Sequence, residues 1–197
     1  MCNSKSTKEK IIEAAYDCFS KKGYVATSTK EIANKAGVSE ITLFRHFGTK
    51  DGIFEAVIRN YSILSDLKKL SIEIDKYDLE EILIFVGKRM YDTLLKKKRF
   101  IRILFFEINK YPDTLSNIYD KFIRDIDKLL INILLEKQGS YPLKTLDMNI
   151  VVKAFMGMIF SYFQTNEVFL NRSVPDEELN LALNTFVKIF LEGIRAN

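Results

Sequence analysis

Tryptophan is missing from this 197-residue sequence, and proline, cysteine and histidine are nearly so: three prolines, two cysteines and one histidine, with eight glycines thinly spread. Each scarcity excludes something. With so few breakers, apolar residues recurring at helical spacing almost throughout and hardly any alternating stretch, the chain is expected to be all-α. Cys2, in a polar leader, and Cys18, on an apolar helical face, have neither metal-site spacing nor the number for a disulfide framework, which suits a reducing compartment. The single histidine, His46, has no second ligand group near it, so no metal is expected. The longest apolar stretch, residues 150–163, is too short to cross a bilayer and carries Lys153, and there is no apolar signal region, so no membrane partner is expected. A nucleophile with an activating base, paired carboxylates, a metal cluster and a phosphate-cradling glycine loop are all lacking, so no catalytic residue and no cofactor is expected. Glu107, near Asn109, is the one acid to watch, and a hydrogen bond between helices is its simpler role.

What is present is a globular composition, 47% hydrophobic and 28% charged, able to bury a core in one or two domains. The net charge of +4 is uneven. Residues 1–50 hold 9 Lys and Arg against 5 Asp and Glu, while the rest hold 21 against 21. The excess points to an anionic partner for the first quarter.

Within that quarter, Ile11, Ile12, Ala14, Ala15, Cys18 and Phe19 share one helical face from Thr7 onward, and Gly23 stops the helix. Ser28 and Glu31 have capping-box spacing and start a short second helix, with Ile32, Ala33 and Ala36 on its apolar side. Gly37 permits a tight turn, Val38 follows as a buried anchor, and a third helix begins at Ser39. Two short helices joined by a glycine turn describe a helix-turn-helix, although the spacing alone also fits one corner of a helical bundle.

The segment EIANKAGVSEITLFRHFGTKDGIF, from Glu31 to Phe54, resembles the DNA-binding signature of the tetracycline-repressor (TetR) family. The aromatic-x-His-Phe-x-x-Lys pattern, here Phe44, Arg45, His46, Phe47, Gly48, Thr49 and Lys50, is its most diagnostic part. The resemblance covers residues 7–55 strongly. It implies double-stranded DNA as partner, a homodimer, a small-molecule effector, and work in the bacterial cytoplasm on the nucleoid. A recognition helix puts its first turns at base edges and its far end along a phosphate strand. Ser39, Glu40, Ile41 and Thr42 are therefore expected to read or flank bases, and Arg45, His46 and Lys50 to meet phosphate. Lys50, at the start of a fourth helix capped by Thr49, and Thr27, Ser28 and Thr29, at the start of the second, suit phosphate binding by helix N-termini. Phe44 stands where the family usually has tyrosine, and Arg45 is expected to make up for the lost hydroxyl with a phosphate or guanine contact.

Residues 1–50 are thus expected to form the DNA-binding domain and residues 51–197 an effector-binding and dimerisation domain. The latter predicts helices over 50–72, 78–98, 99–110, 113–137, 147–170 and 176–195, with breaks at 75–78, Tyr111-Pro112-Asp113, 138–143 and 171–176. Residues 149–170 are apolar nearly all round and 179–194 apolar at helical spacing. Val152, Phe155, Met156, Ile159, Phe163, Leu183, Phe186, Val187 and Phe190 are the expected dimer contacts, a central core helix of a monomer being the alternative. Phe85, Met90, Phe100, Phe105, Phe106, Tyr119 and Phe122 lie on the middle helices and are candidates for the wall of a lipophilic effector cavity, or simply for core. Residues 96–99, Lys-Lys-Lys-Arg, suit a solvated helix end. The functional expectation is a repressor released from a pseudo-palindromic operator by a small lipophilic effector; a helical protein-interaction module without DNA binding is the alternative, and activation in place of repression is left open.

Overall fold

The computed structural model describes residues 5–110 and 112–196, with side chains described for all of these except 108–110 and 112–114. Cys2 and the break expected at Tyr111 lie outside the described residues. The chain is all-α: α1 Thr7–Lys22, α2 Thr29–Ala36, α3 Glu40–Phe47, α4 Lys50–Asn60, α5 Leu64–Ile72, α6 Leu79–Lys96, α7 Lys98–Lys110, α8 Pro112–Glu136, α9 Met148–Phe163 and α10 Asp176–Ile194. Short 3-10 turns fill Ile74–Lys76 and Lys137–Gly139. Among the described residues the only β pairing is an isolated bridge between Leu143 and Arg195.

Two expected helices are interrupted. The helix expected over 50–72 ends at Asn60, where the Tyr61 ring packs on Tyr16 with centroids 4.3 Å apart. The Ser62 hydroxyl then accepts the Leu64 N–H at 3.3 Å, a side-chain bond that competes with the helical ladder. The helix expected over 147–170 is α-helical to Phe163 and widens into a π turn over Gln164–Phe169. There Glu167 is buried, with its carboxylate accepting from Tyr91 Oη at 3.3 Å and the Val174 N–H at 3.1 Å.

Contacts divide the described chain into two compact units. One holds residues up to Tyr61 together with Arg99–Phe122; the other holds Ser62–Lys98 and residues from Ile123 onward. In the first, α1 packs on α2 and α4, and α3 joins α2 to α4. Ile11, Ala15 and Phe19 of α1, Ile32 and Ala33 of α2, Leu43 of α3 and Ile53, Phe54 and Val57 of α4 are all but fully buried. Phe54 lies edge-on to Phe19 and Tyr24, at 5.3 and 4.9 Å. Burying one such ring stabilises by roughly 1.5–3 kcal/mol relative to exposure.

In the second unit α6 packs against α9 and α10. Gly87 lets them meet: a Cβ there would lie 2.9 Å from Leu183 Cδ2 and 3.3 Å from Ile159 Cδ1. This packing corrects the expected dimer contacts. Val152, Phe155, Ile159, Phe163, Leu183, Val187 and Phe190 are buried within the chain's own unit, and Met156 and Phe186 are half-buried. A helix apolar on both faces does not say which face its own α6 takes. Left outside are Ile150 on α9, 63% exposed, and Leu181 and Ile189 on α10, 69% and 58% exposed.

Candidate nucleic-acid interface

The turn between α2 and α3 is built by glycine. Gly37 has φ 69° and ψ 37°, the left-handed region, so its own N–H and that of Val38 bond back to carbonyls of the last turn of α2. Val38 itself is half-buried rather than the buried anchor expected. Ser39 caps α3, its Oγ accepting the Thr42 N–H at 3.2 Å and lying 3.0 Å from Thr42 Oγ1. Leu43 then pins the helix inward at zero exposure. The opposite face carries Ile41, 81% exposed, with Phe44, Arg45 and His46 also exposed. Positions 41, 44 and 45 are neighbours on a helix surface. An isoleucine so exposed on an eight-residue helix contributes nothing to its own fold.

Ser28 caps α2 by accepting the Glu31 N–H at 3.1 Å, but Glu31 turns its carboxylate to Lys22 Nζ at 2.7 Å, so only half of the expected capping box forms. Complete boxes lie at Ser6 and Glu9 and at Asp78 and Glu81. Thr29 Oγ1 donates to Glu40 Oε1 at 2.7 Å. Thr27 is a correction: it is 1% exposed and its hydroxyl donates to the Gly23 carbonyl at 2.6 Å, so it closes the loop after α1 and is out of reach of a phosphate.

Thr49 caps α4 as expected, accepting the Gly52 N–H at 3.0 Å. Lys50 is half-buried, its Nζ 4.4 Å above the Tyr24 ring and donating to the Val25 carbonyl at 3.3 Å. Burial lowers its pKa, against the opposing pull of the Glu107 and Asp51 carboxylates. Tyr24 is held at both ends: its hydroxyl donates to Asp51, and its N–H donates to Glu107 Oε2 at 2.5 Å. Burial and the Asp51 bond drive the Tyr24 phenol pKa upward. Glu107 accepts also from the Val25 N–H at 3.1 Å. It therefore bonds a loop backbone, not another helix.

Tyr24, Asp51 and Glu107 were invisible as partners in the sequence, because α7 meets the loop only through the tertiary fold. Gly52 is a further such residue. A Cβ there would run into the Phe47 carbonyl oxygen, so glycine lets α3 and α4 approach.

The chain matches the family model described as bacterial regulatory proteins, tetR family, over residues 11–57. An HTH-type transcriptional regulator of Bacillus subtilis (strain 168), YvkB, is 31% identical over 193 residues, 97% of this chain and 98% of its own. The chain belongs to the TetR family. A second relative, the biofilm operon icaADBC HTH-type negative transcriptional regulator IcaR of Staphylococcus aureus (strain Newman), is 27% identical over 125 residues, 62% of this chain and 64% of its own. The fold is also that of the regulator FadR from Bacillus subtilis, solved in complex with stearoyl-CoA. The two share a TM-score of 0.73 and 20% identity over 94% of this chain and 98% of that one.

For this TetR-family chain the seven candidate effector residues scatter. Phe106, 68% exposed, lines a groove of ≈ 440 Å³ with Lys21, Lys22, Val25, Ala26, Arg102, Ile103 and Glu107. Phe85 lines a separate groove of ≈ 340 Å³ with Asp66, Lys69, Leu70, Glu73, Tyr77, Glu81 and Ile82. Met90, Phe100 and Phe122 are buried as core, while Phe105 and Tyr119 are half-buried, and none of these five lines either groove. Among the described residues no group of three or more His, Cys, Asp or Glu has the placing to hold a metal ion, and no helix is long and apolar enough to cross a membrane.

Proposed function

We propose that this regulator is a repressor that binds a pseudo-palindromic double-stranded operator as a homodimer and is released by a small lipophilic effector. The observation that carries the reading is the outward face of α3. Ile41, Phe44, Arg45 and His46 stand exposed on a short helix anchored from behind by Leu43. A branched apolar side chain beside the Arg45 cation suits a groove that offers thymine methyls between two phosphate strands. Ser39, Glu40 and Thr42 flank that face, and Ser28, Thr29 and Lys50 mark the starts of α2 and α4, where phosphate is favoured. Residues 1–50 read DNA in this proposal, and residues 51–197 take the effector and the second subunit.

The outer faces of α9 and α10, with Ile150, Leu181 and Ile189, are the proposed dimer contact in place of the buried set. Two recognition helices must stand about 34 Å apart to enter successive major grooves, so a modest rotation on effector binding abolishes one half-site. Repression is supported by IcaR, a negative regulator, and a lipophilic effector by the stearoyl-CoA bound to FadR. No catalytic role is part of the reading, and its setting is the bacterial cytoplasm, on the nucleoid.

Selection of binders from random double-stranded DNA at moderate salt tests it. Enrichment of a pseudo-palindrome with half-sites about one helical turn apart is the expected result. A folded protein that enriches nothing belongs instead to the helical interaction modules, whose binding responds weakly to salt where phosphate neutralisation responds steeply.

A further inference from the structure

Glu107 is 8% exposed, and a buried carboxylate is costly unless hydrogen bonds to it offset the lost water. Here they do. Its two oxygens accept the consecutive N–H groups of Tyr24 and Val25 at 2.5 and 3.1 Å. These donors lie just past the end of α1, beyond the helical ladder, whose last bond runs from the Gly23 N–H to the Phe19 carbonyl. The carboxylate also fills the space above Gly23, where a Cβ would sit 2.6 Å from Glu107 Cδ, and Gly23 has φ 85°. Glycine therefore opens the seat that the acid occupies.

The same two residues also hold Lys50. Its ammonium lies over the Tyr24 ring and bonds the Val25 carbonyl, while Asp51 takes the Tyr24 hydroxyl. Tyr24 and Val25 are thus held both by Glu107 of α7 and by the first two residues of α4.

We propose that Glu107 is a positioning residue for DNA binding: by fixing the backbone of Tyr24 and Val25 it sets the shelf on which the Lys50 ammonium is seated towards phosphate. This rests on the reading above that Lys50 meets a phosphate. It adds a residue of α7, outside residues 1–50, to the machinery that places the reading head. The sign of its effect is diagnostic. Simple electrostatics says that removing an acid near DNA tightens binding, whereas loss of the shelf loosens it.

The test is a double-mutant cycle on operator affinity with the full chain: wild type, Glu107→Gln, Lys50→Ala and the double variant, each with a salt series. Glu107→Gln keeps the shape and one acceptor oxygen. It is expected to weaken binding about tenfold, the scale of one hydrogen bond to a charged group, and to pull the salt slope towards that of Lys50→Ala, which is lower by about one. In the Lys50→Ala background it should do nothing further. Amide exchange at Tyr24 and Val25, read without DNA, should quicken in Glu107→Gln more than at the other core amides of α1 and α4. Tighter binding by Glu107→Gln, or an equal loss in both backgrounds, overturns the proposal while leaving a working DNA reader. If wild type enriches no operator, the DNA reading itself falls and the proposal falls with it.

Discussion

Thr29 Oγ1 donates to Glu40 Oε1 at 2.7 Å, joining the first turn of α2 to the first turn of α3 across the Gly37 turn. A carboxylate keeps its charge when it accepts a hydrogen bond from a neutral hydroxyl, so what the Thr29 bond supplies is a fixed direction for the Glu40 oxygens. The same oxygens suit the amino group of cytosine.

Glu40→Gln is accordingly expected to change the preferred base at one position of each half-site while the salt slope stays as in wild type, because no phosphate contact is lost. Repeating the operator selection with the variant checks this. An unaltered base preference would remove Glu40 from the base-reading set and leave it as a tie between helices.

Arg45 should behave in the opposite way. It is exposed beside Phe44, and no tyrosine hydroxyl is present there to reach the backbone of DNA. Arg45→Ala is expected to weaken all operators alike and to lower the salt slope by about one. Unchanged affinity together with an unchanged slope would mean that Arg45 touches nothing on DNA.

The contrast between these two residues and the rest of the chain shows where sequence was informative. Caps and glycine turns are local: Ser28, Ser39, Thr49 and Gly37 act within four residues of themselves, so the two short helices and their turn were legible from spacing, and the motif from Phe44 to Lys50 marked them as a helix-turn-helix. Which side of α3 is inside came from the structure, where Leu43 is buried and Ile41 exposed. Facing is harder when a helix is greasy all round. α9 satisfies the same periodicity whichever side meets α6, and all the expected dimer residues except half-buried Met156 and Phe186 lie in the chain's own core. Long-range partners left no trace, because nothing near Glu107 in sequence says that its carboxylate will meet amides more than eighty residues away. The seven middle-helix aromatic and methionine candidates show a further limit, since size and hydrophobicity suit a cavity wall and a packed core equally.

Gly52 gives a stability prediction close to the interface. Any side chain there meets the Phe47 carbonyl, which is backbone and cannot swing aside. Gly52→Ala is expected to cost about 1–3 kcal/mol, the usual range for forced overpacking, and to move α3 relative to α4. Chemical denaturation reads the first effect, and operator affinity at a concentration where the variant is folded reads the second. A variant as stable as wild type would show that the turn between α3 and α4 has slack.

The proposed dimer face predicts two kinds of variant on α9 and α10. Leu181→Glu and Ile189→Glu put charge on side chains that are 69% and 58% exposed, so each subunit should fold normally and light scattering should find a monomer. Ile159→Glu, with zero exposure, buries an unpaired charge and should prevent folding. If the two exposed variants remain dimeric, the second subunit docks elsewhere.

The Arg172 and Glu178 pair carries a pH dependence whose sign can be worked out. The guanidinium donates to both Glu178 oxygens at 2.8 and 2.6 Å, and the Tyr162 hydroxyl donates at 2.8 Å. Together these pull the Glu178 carboxyl from its ordinary 4.5 down to about 2, the arginine contributing most. A group whose pKa is depressed by folding lends stability that is fully present above its unfolded value and fades as pH falls towards the folded one. Glu178→Gln should therefore unfold at lower urea than wild type at neutral pH, and the gap should close between roughly pH 4.5 and 2. Arg172 is exposed and Glu178 half-buried at the surface, so salt screens the pair and the comparison belongs at low ionic strength. A gap that persists unchanged to pH 2 would mean that glutamine disturbs packing around Tyr162, and that the ion pair contributes nothing to how α10 joins the segment after α9.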